Sequence, residues 1–240
     1  MKTPILSLCL IPLLVGCDSQ YLLKTDFEAD IAGDSPTAWI PGDPEGDVIW
    51  IVGEVLGEGS EDFQSPALVT SEGINGKSLQ YSFLDLSGRD RQVTFGSTER
   101  EMTSPKYWAG WNGRISNFEE SDVQLKITFG ESAIGYASLV IKDGEFRTFV
   151  TNNITETIGQ YSENESHTVI FLIDTAELTY SILIIQKDGS ISTDPKPLQG
   201  RKDVSSDRHL YINLNSFGVG DGTYLMDDVF ISENKPQAMQ

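Results

Sequence analysis

Cysteine, histidine and basic residues are scarce in this chain of 240 residues. It contains 2 Cys and 2 His, and 17 Lys and Arg face 36 Asp and Glu, which gives a formal net charge of -19. The excess of acid argues against nucleic acid or an anionic membrane surface as a partner, because both would repel the protein. No run reaches the roughly 18 apolar residues that a membrane-spanning helix requires.

Motifs for nucleotide chemistry are missing as well. There is no Gly-x-Gly-x-x-Gly run leading into a helix and no phosphate-binding loop, which argues against a nucleotide-dependent enzyme. No stretch shows the sustained 3.6-residue periodicity of an amphipathic helix. Hydrophobic residues still make up 39% of the chain and aromatic residues 10%, which is enough for a folded core.

The first 17 residues, MKTPILSLCLIPLLVGC, have the features of a secretory signal. Lys2 supplies the positive charge, Pro4–Val15 form a short apolar segment, and the small Gly16 precedes Cys17. Such a segment is too short for a transmembrane helix and is removed during export. The alternatives are a plain signal peptide with a fortuitous cysteine, or a buried apolar strand.

The end of this segment, Leu-Val-Gly-Cys at 14–17, resembles the lipobox of bacterial lipoproteins. The resemblance implies cleavage before Cys17, diacylglycerylation of its thiol and acylation of the new amine. We therefore expect a signal peptide at 1–16, a lipidated tether at 17–25, and anchoring in a bilayer of the bacterial cell envelope. Several acyl chains, at about 0.8 kcal/mol per buried methylene, make such anchoring durable. The membrane and the face of the membrane stay open.

The folded body would then hold neither a free thiol nor a disulfide. Cys9 leaves with the signal and Cys17 carries the lipid. Core burial alone must stabilise a domain of about 220 residues. Cysteine nucleophiles, thiolate zinc sites and iron–sulfur clusters are excluded.

Short apolar runs separated by turn residues predict β-strands throughout the body. The clearest alternation is Val123–Phe129, where every second residue is apolar and would share one face. About ten to twelve such strands without helices predict an all-β fold, an antiparallel two-sheet sandwich. Residues 97–121 lack clear alternation and are expected to form a long connection, and residues 234–240 a polar tail.

Two hairpins are predicted. Ala137–Ile141 and Phe146–Val150 flank an Asp-Gly pair, which favours a type I′ turn because its twist matches that of the strands. His167–Asp174 and Leu178–Gln186 flank the second turn.

Three segments resemble concanavalin A-like, LamG-like jelly rolls. The strand Ser166–Asp174 and its hairpin partner are similar to the central hairpin of that superfamily. Tyr224–Ile231, with its Asp-Asp-Val run, is similar to the closing strand, and Asp26-Phe27-Glu28 to the opening strand. The resemblance implies a jelly roll over residues 26–233 with a glycan-binding face, although the superfamily also includes lyases and glucanases. Galactose-binding-like modules share the opening and closing motifs and are the second fold considered.

An aromatic segment offers a candidate glycan-binding platform. Sugars stack their C–H faces on aromatic rings, while neighbouring polar side chains bond the hydroxyls. The residues that would form it are Tyr107, Trp108, Trp111, Asn112 and Arg114. The alternative is a loop whose tryptophans fold back over the core.

Carboxylates at the first and last strands suggest a structural calcium site. Oxygen ligands from Glu28, Asp227 and backbone carbonyls would suit this ion. The alternative is that these carboxylates accept hydrogen bonds from nearby turn amides.

Groups for catalysis are sparse. Acidic pairs such as Glu99 and Glu101 have polar surroundings that would not raise a carboxyl pKa. The candidates that a jelly-roll lyase would need are His167, His209, Tyr211 and Arg147, with both histidines expected at strand ends.

We therefore expect a membrane-anchored lipoprotein whose jelly roll binds glycan or an envelope partner without catalysis and without a required cofactor. One alternative is a polysaccharide lyase or glycoside hydrolase. Another is a structural lipoprotein that docks on a second envelope protein.

Overall fold

A computed structural model describes residues 21–34, 36, 48–50, 67–83, 91–96, 100–101, 104–116, 124–131, 134–151, 154–199, 207–208, 210–217 and 222–236. No helix among these residues has the length and apolar character needed to cross a bilayer. The strands of the described residues are β1 (Tyr21–Thr25), β2 (Val48–Trp50), β3 (Ala67–Thr70), β4 (Ser78–Phe83), β5 (Arg91–Gly96), β6 (Arg100–Glu101), β7 (Lys106–Ser116), β8 (Gln124–Glu131), β9 (Ile134–Lys142), β10 (Glu145–Thr151), β11 (Ile154–Gln160), β12 (Ser166–Asp174), β13 (Thr179–Gln186), β14 (Gly189–Ser192), β15 (Lys196–Pro197), β16 (Asp207–Arg208), β17 (Leu210–Phe217) and β18 (Gly222–Ser232).

The strands form two large antiparallel sheets. The nine-stranded sheet runs β14-β13-β12-β7-β18-β4-β3, with β1 paired to β18 and β15 to β13. The seven-stranded sheet runs β11-β10-β9-β8-β17-β5-β2, and β16 pairs with β6 as a separate ribbon. The predicted all-β, two-sheet sandwich is confirmed.

The core lies between the two sheets and is built from every second residue of the central strands. On β8, Leu125, Ile127 and Phe129 are fully buried, as the alternation predicts, while the residues between them are half-exposed. Phe129 stacks on Phe171 of β12 in the opposite sheet, with ring centroids 6.2 Å apart. Because the described core contains no cysteine, this packing carries the stability of the described sandwich.

Both predicted hairpins are present. β9 pairs with β10 around a turn in which Asp143 (φ 53°) and Gly144 (φ 76°) are both left-handed. Two consecutive positive φ values are the property of a type I′ turn, so the Asp-Gly prediction is confirmed. β12 pairs with β13 in register from Thr168 to Asp174.

The structure corrects two predicted boundaries. The supposed connection at 97–121 contains β7, which is eleven residues long and lies between β12 and β18 at the centre of the nine-stranded sheet. The supposed tether at 17–25 contains β1, which begins at Tyr21 and buries Leu22 and Leu23. The sandwich therefore begins five residues earlier than predicted, because the edge of β18 offers β1 a hydrogen-bonding partner. Cys17 lies outside the described residues.

Candidate functional site

The predicted aromatic platform is divided by the pleat of β7. Side chains of a strand point alternately to opposite faces, so Tyr107 and Trp111 enter the core while Trp108, Asn112 and Arg114 face outward. The prediction of one continuous platform is wrong for this reason. The prediction assumed that this segment is an irregular loop, in which successive side chains need not point to opposite faces.

The inward pair consists of core residues. Tyr107 meets Phe129 edge to face with centroids 5.9 Å apart, and Trp111 lies 5.7 Å from the ring of Phe171. Both side chains are almost completely buried. They stabilise the sandwich and have no surface to offer a sugar.

Two of the outward residues hold neighbouring elements in place. The Nδ2 of Asn112 donates to Asp228 Oδ2 at 2.8 Å, and its Oδ1 accepts from Thr168 Oγ1 at 2.7 Å. Arg114 Nη2 donates to the carbonyl oxygen of Glu72 at 3.0 Å. These polar groups are engaged within the described fold, which leaves the half-exposed Trp108 as the remaining outward member of the predicted platform.

A buried polar network lies beneath the centre of the nine-stranded sheet. His167, only 4% exposed, is hydrogen-bonded from Nε2 to the hydroxyl of Tyr224 at 3.1 Å. That hydroxyl also accepts from Trp111 Nε1 at 2.7 Å. Burial lowers the pKa of His167 to about 4 and raises the pKa of Tyr224 well above its usual value. His167 lies at the start of β12, at a strand end as expected, but its side chain is buried inside the sandwich; His209 lies outside the described residues.

The carboxylates proposed for calcium both accept hydrogen bonds from the turn at 75–77, and Asp227 stands at a bulge in β18. Glu28 Oε1 accepts from the backbone N–H of Lys77 at 2.7 Å, and Asp227 Oδ2 accepts from that of Asn75 at 3.3 Å. Asp227 Oδ1 also accepts from the N–H of Asp228 at 2.8 Å. Burial, together with the charges of Asp228 and Glu28, raises the pKa of Asp227. No group of three metal-ligating side chains occurs in the described part of the chain, and calcium stays a prediction.

A different surface combines the chemistry that sugar binding needs. It is the outward side of the seven-stranded sheet, called the polar face below. Its half-exposed side chains alternate with the core residues of β8, β10 and β17. They are Gln124, Lys126, Thr128, Glu145, Arg147, Phe149, Tyr211, Asn213 and Asn215.

The backbone ladders fix the layout of the polar face. Asn215 of β17 lies opposite Lys126 of β8, Lys126 lies opposite Val140 of β9, and Val140 lies opposite Arg147 of β10. Neighbouring strands are about 4.8 Å apart, so this row spans about 14 Å. Such a span is sufficient for a short oligosaccharide to contact several strands at once.

Lys126 crosses the polar face above β9. Its Nζ lies 5.0 Å from the ring centroid of Phe149 on β10, two strands away. Val140, the residue opposite Lys126 on β9, is buried although it points outward. Burial lowers the pKa of Lys126. The ammonium and the ring together form a mixed cationic and aromatic surface.

Arg147 and Glu145 form a salt bridge on the same face. Arg147 Nε lies 2.8 Å from Glu145 Oε2, which also accepts from Thr157 Oγ1 at 2.7 Å. The hydrogen bond from Thr157, and next the one from Arg147, lower the pKa of Glu145. This carboxylate is consequently held in its ionised form.

Tyr211 packs at the other side of the polar face, over a glycine. A Cβ on Gly96 of β5 would lie 2.9 Å from Tyr211 Cδ1, so the ring lies directly against the backbone of the neighbouring strand. Gly96 thus provides the space in which the ring lies.

Sequence reasoning missed the polar face although its signal is present in the chain. The alternation of Leu125, Ile127 and Phe129 indicates the core, and the residues between them form the outward side. The same pattern places Asn213 and Asn215 between buried residues of β17. Only the pairing of β17 with β8 shows that the two polar rows belong together.

Comparisons with known proteins support the fold. Neither a protein-family model nor a curated protein matches the sequence. A GH131 β-glucanase catalytic domain from Podospora anserina aligns with a TM-score of 0.59 at 11% identity, over 91% of this chain and 98% of that domain. Botulinum neurotoxin type C, whose cell entry depends on interaction with two ganglioside molecules, aligns with a TM-score of 0.53 at 11% identity, over 91% of this chain and 49% of that chain.

A sialidase aligns with a TM-score of 0.51 at 13% identity, over 88% of this chain, which spans 18% of the sialidase. Identities this low establish shared architecture only. The fold is therefore an antiparallel, two-sheet jelly-roll β-sandwich.

Proposed function

We propose that this protein binds carbohydrate, without catalysis, through the polar face of its seven-stranded sheet. The observation that carries the proposal is the set of side chains gathered there from three strands. Asn215 offers an amide for sugar hydroxyls, while Phe149 supplies an apolar ring for C–H contacts. Carbohydrate-active proteins of the same architecture support this choice.

The absence of catalysis is proposed from the charges of this surface. A retaining glycosidase places two carboxyl groups about 5–5.5 Å apart and keeps one of them protonated. Among the described side chains of the polar face Glu145 is the one carboxylate, and Arg147 and Thr157 hold it ionised. A neutral acid for protonating a leaving group is therefore not provided by these side chains.

A lyase is also disfavoured by the layout. Tyr211 and Arg147 both belong to the polar face, but they stand on β17 and β10, which are three strands and about 14 Å apart. One group could not remove a proton from a sugar while the other neutralised the same sugar's carboxylate. His167 is enclosed in the core.

Binding to a glycan array, followed by calorimetry with each hit, tests the proposal. Asn215→Ala is expected to weaken binding about 5- to 30-fold, since it removes hydrogen bonds worth about 1–2 kcal/mol. Gln80→Ala is the matched control, because Gln80 is a half-exposed amide on the other sheet. Trp108→Ala tests the aromatic segment of β7. Absence of binding to any glycan, or loss with Trp108→Ala while Asn215→Ala binds normally, would contradict the proposed site.

We further propose that acylated Cys17 anchors the protein in an envelope bilayer. The lipobox-like Leu-Val-Gly-Cys segment at 14–17 supports the proposal of lipid anchoring. Growth with an alkyne fatty acid should label the wild type and leave Cys17→Ala unlabelled and released from membranes. Labelling that persists in Cys17→Ala, or a mature N-terminus other than Cys17, would contradict it.

A further inference from the structure

We propose that the polar face selects acidic glycans, and that Lys126 is the residue that binds their carboxylate. This inference rests on the proposed carbohydrate binding and names the class of ligand. The feature that points to it is a half-buried ammonium that lies on an aromatic ring, with no acid beside it among the described residues.

Lys126 differs from several other cations of the described structure in lacking an ionic partner. Lys106 lies 3.0 Å from Asp174, and Lys196 and Lys187 are paired with Glu156 and Glu165. Within the described residues no carboxylate lies within 4.0 Å of Lys126 Nζ. In a chain with about twice as many acids as bases, a lysine without an acid is an unusual arrangement.

The position of this lysine makes the missing acid more significant. A partly buried charge is destabilising unless it is paired, and here burial already disfavours the charged form, as the lowered pKa shows. The ring of Phe149, 5.0 Å away, attracts the ammonium but uses none of its three N–H donors. Those donors can therefore meet an anion from outside.

Arg147 is the neighbouring cation, and it is already neutralised. Its Nε bonds Glu145 at 2.8 Å and its Nη2 lies 3.6 Å from Asp143 Oδ2. The open positive charge of this row is thus at Lys126, between Asn215 and Val140. An anion bound at Lys126 Nζ would lie beside the Phe149 ring, whereas the Asn215 amide lies on β17, three strands and about 14 Å from the strand that carries this ring.

These surroundings match a sugar acid better than a free anion. A uronic or sialic acid could direct its carboxylate to Lys126 Nζ and the C–H face of its ring to Phe149, while a hydroxyl of a further sugar in the same oligosaccharide reaches Asn215. The protein's net charge of -19 repels polyanions at long range, but that repulsion is screened beyond about 8 Å at physiological ionic strength. A short ligand with one or a few carboxylates is therefore the better fit.

Matched ligand pairs test the inference. Trigalacturonate is compared with its methyl ester, and sialyllactose with the methyl ester of its sialic acid, by calorimetry on the full mature protein. The first pair probes uronate and the second sialate, and within each pair the carboxylate charge is the feature under test. The wild type is expected to prefer one acidic ligand over its neutral counterpart at least about tenfold.

Three variants locate the preference. Lys126→Met keeps an unbranched apolar side chain against Phe149 and should bind the acidic and the neutral ligand of each pair equally, which abolishes the preference. Lys126→Arg should retain it. Lys187→Met removes an equivalent charge from an exposed turn and should behave like the wild type. Thermal melting of each variant confirms that it is folded.

The outcomes separate the two proposals. Neutral glycans bound as well as acidic ones, or a preference that survives in Lys126→Met, would overturn the role of Lys126 and leave the proposed function standing. Absence of binding to any glycan in the array would overturn both.

Discussion

The buried histidine makes the stability of this protein depend on pH in a calculable way. His167 has a pKa of about 4 in the folded protein, compared with an ordinary value of 6.5. The unfolded chain therefore binds a proton between these values that the folded protein excludes. Stability from this residue is fully present above pH 6.5 and is lost as the pH falls towards 4, by about 3 kcal/mol in total.

Replacing His167 with Gln removes this titration but keeps a neutral side chain with an acceptor for the Tyr224 hydroxyl. The difference in free energy of unfolding between wild type and His167→Gln should then decrease by about 2 kcal/mol between pH 7.5 and 5.0. Other titrating groups are present in both proteins and cancel in the difference. This range also stays above the isoelectric point near 4.3.

Urea unfolding followed by tryptophan fluorescence measures the effect. With a slope near 2 kcal/mol/M, the midpoints of the two proteins should converge by about 1 M between the two pH values. The constant cost of the substitution does not matter, because only its dependence on pH is compared. A difference that stays the same from pH 7.5 to 5.0 would refute the reasoning that His167 is enclosed and neutral.

Three further predictions concern the same core and the bulge of β18. Tyr224→Phe should destabilise the fold by about 3 kcal/mol in chemical denaturation, because Trp111 Nε1 and His167 Nε2 both lose their buried partner; a loss under about 1 kcal/mol would contradict this. Gly113→Ala should lower the free energy of unfolding by about 3 kcal/mol, since its Cβ would lie 2.2 Å from Tyr224 Oη. Gly144→Ala is the control: its Cβ would meet no atom within 4 Å, so it should lose only about 1–2 kcal/mol through the strain of its positive φ. If calcium binds Glu28 and Asp227, adding calcium at 100 times its Kd to EDTA-treated protein should stabilise the fold by about 2.7 kcal/mol and so raise the melting temperature. Asp227→Asn should remove this increase. An unchanged wild-type melting temperature would mean that these carboxylates serve only as acceptors for turn amides.

The central strand β7 shows why the sequence pattern is insufficient there. Its inward positions include Tyr107 and Trp111, but Trp108 and Gly110 interrupt the polar outward row, so the contrast between an apolar and a polar face is weakened. Its glycines are explained by neighbours that are distant in sequence. Gly113 leaves room for Tyr224 and His167, and Gly110 leaves room for the ring of Phe230. The reason for these residues is therefore visible only once β12 and β18 are in place.

The candidate site shows the same division. Alternation within Gln124–Glu131 and Leu210–Phe217 is a local property, because a strand places successive side chains on opposite faces. This local pattern is sufficient to distinguish core positions from surface positions. It does not indicate that the two strands are neighbours, nor that Lys126 reaches Phe149 across β9.

The sequence by itself determined the all-β class, the Asp-Gly hairpin and most strand positions, since each depends on periodicity or on backbone preferences of a few adjacent residues. The tertiary structure alone decided which strands lie side by side. It thereby enclosed His167 and Trp111 in the core and assembled the polar face, because strand order is set by contacts between segments far apart in the chain, and these leave no local pattern to read.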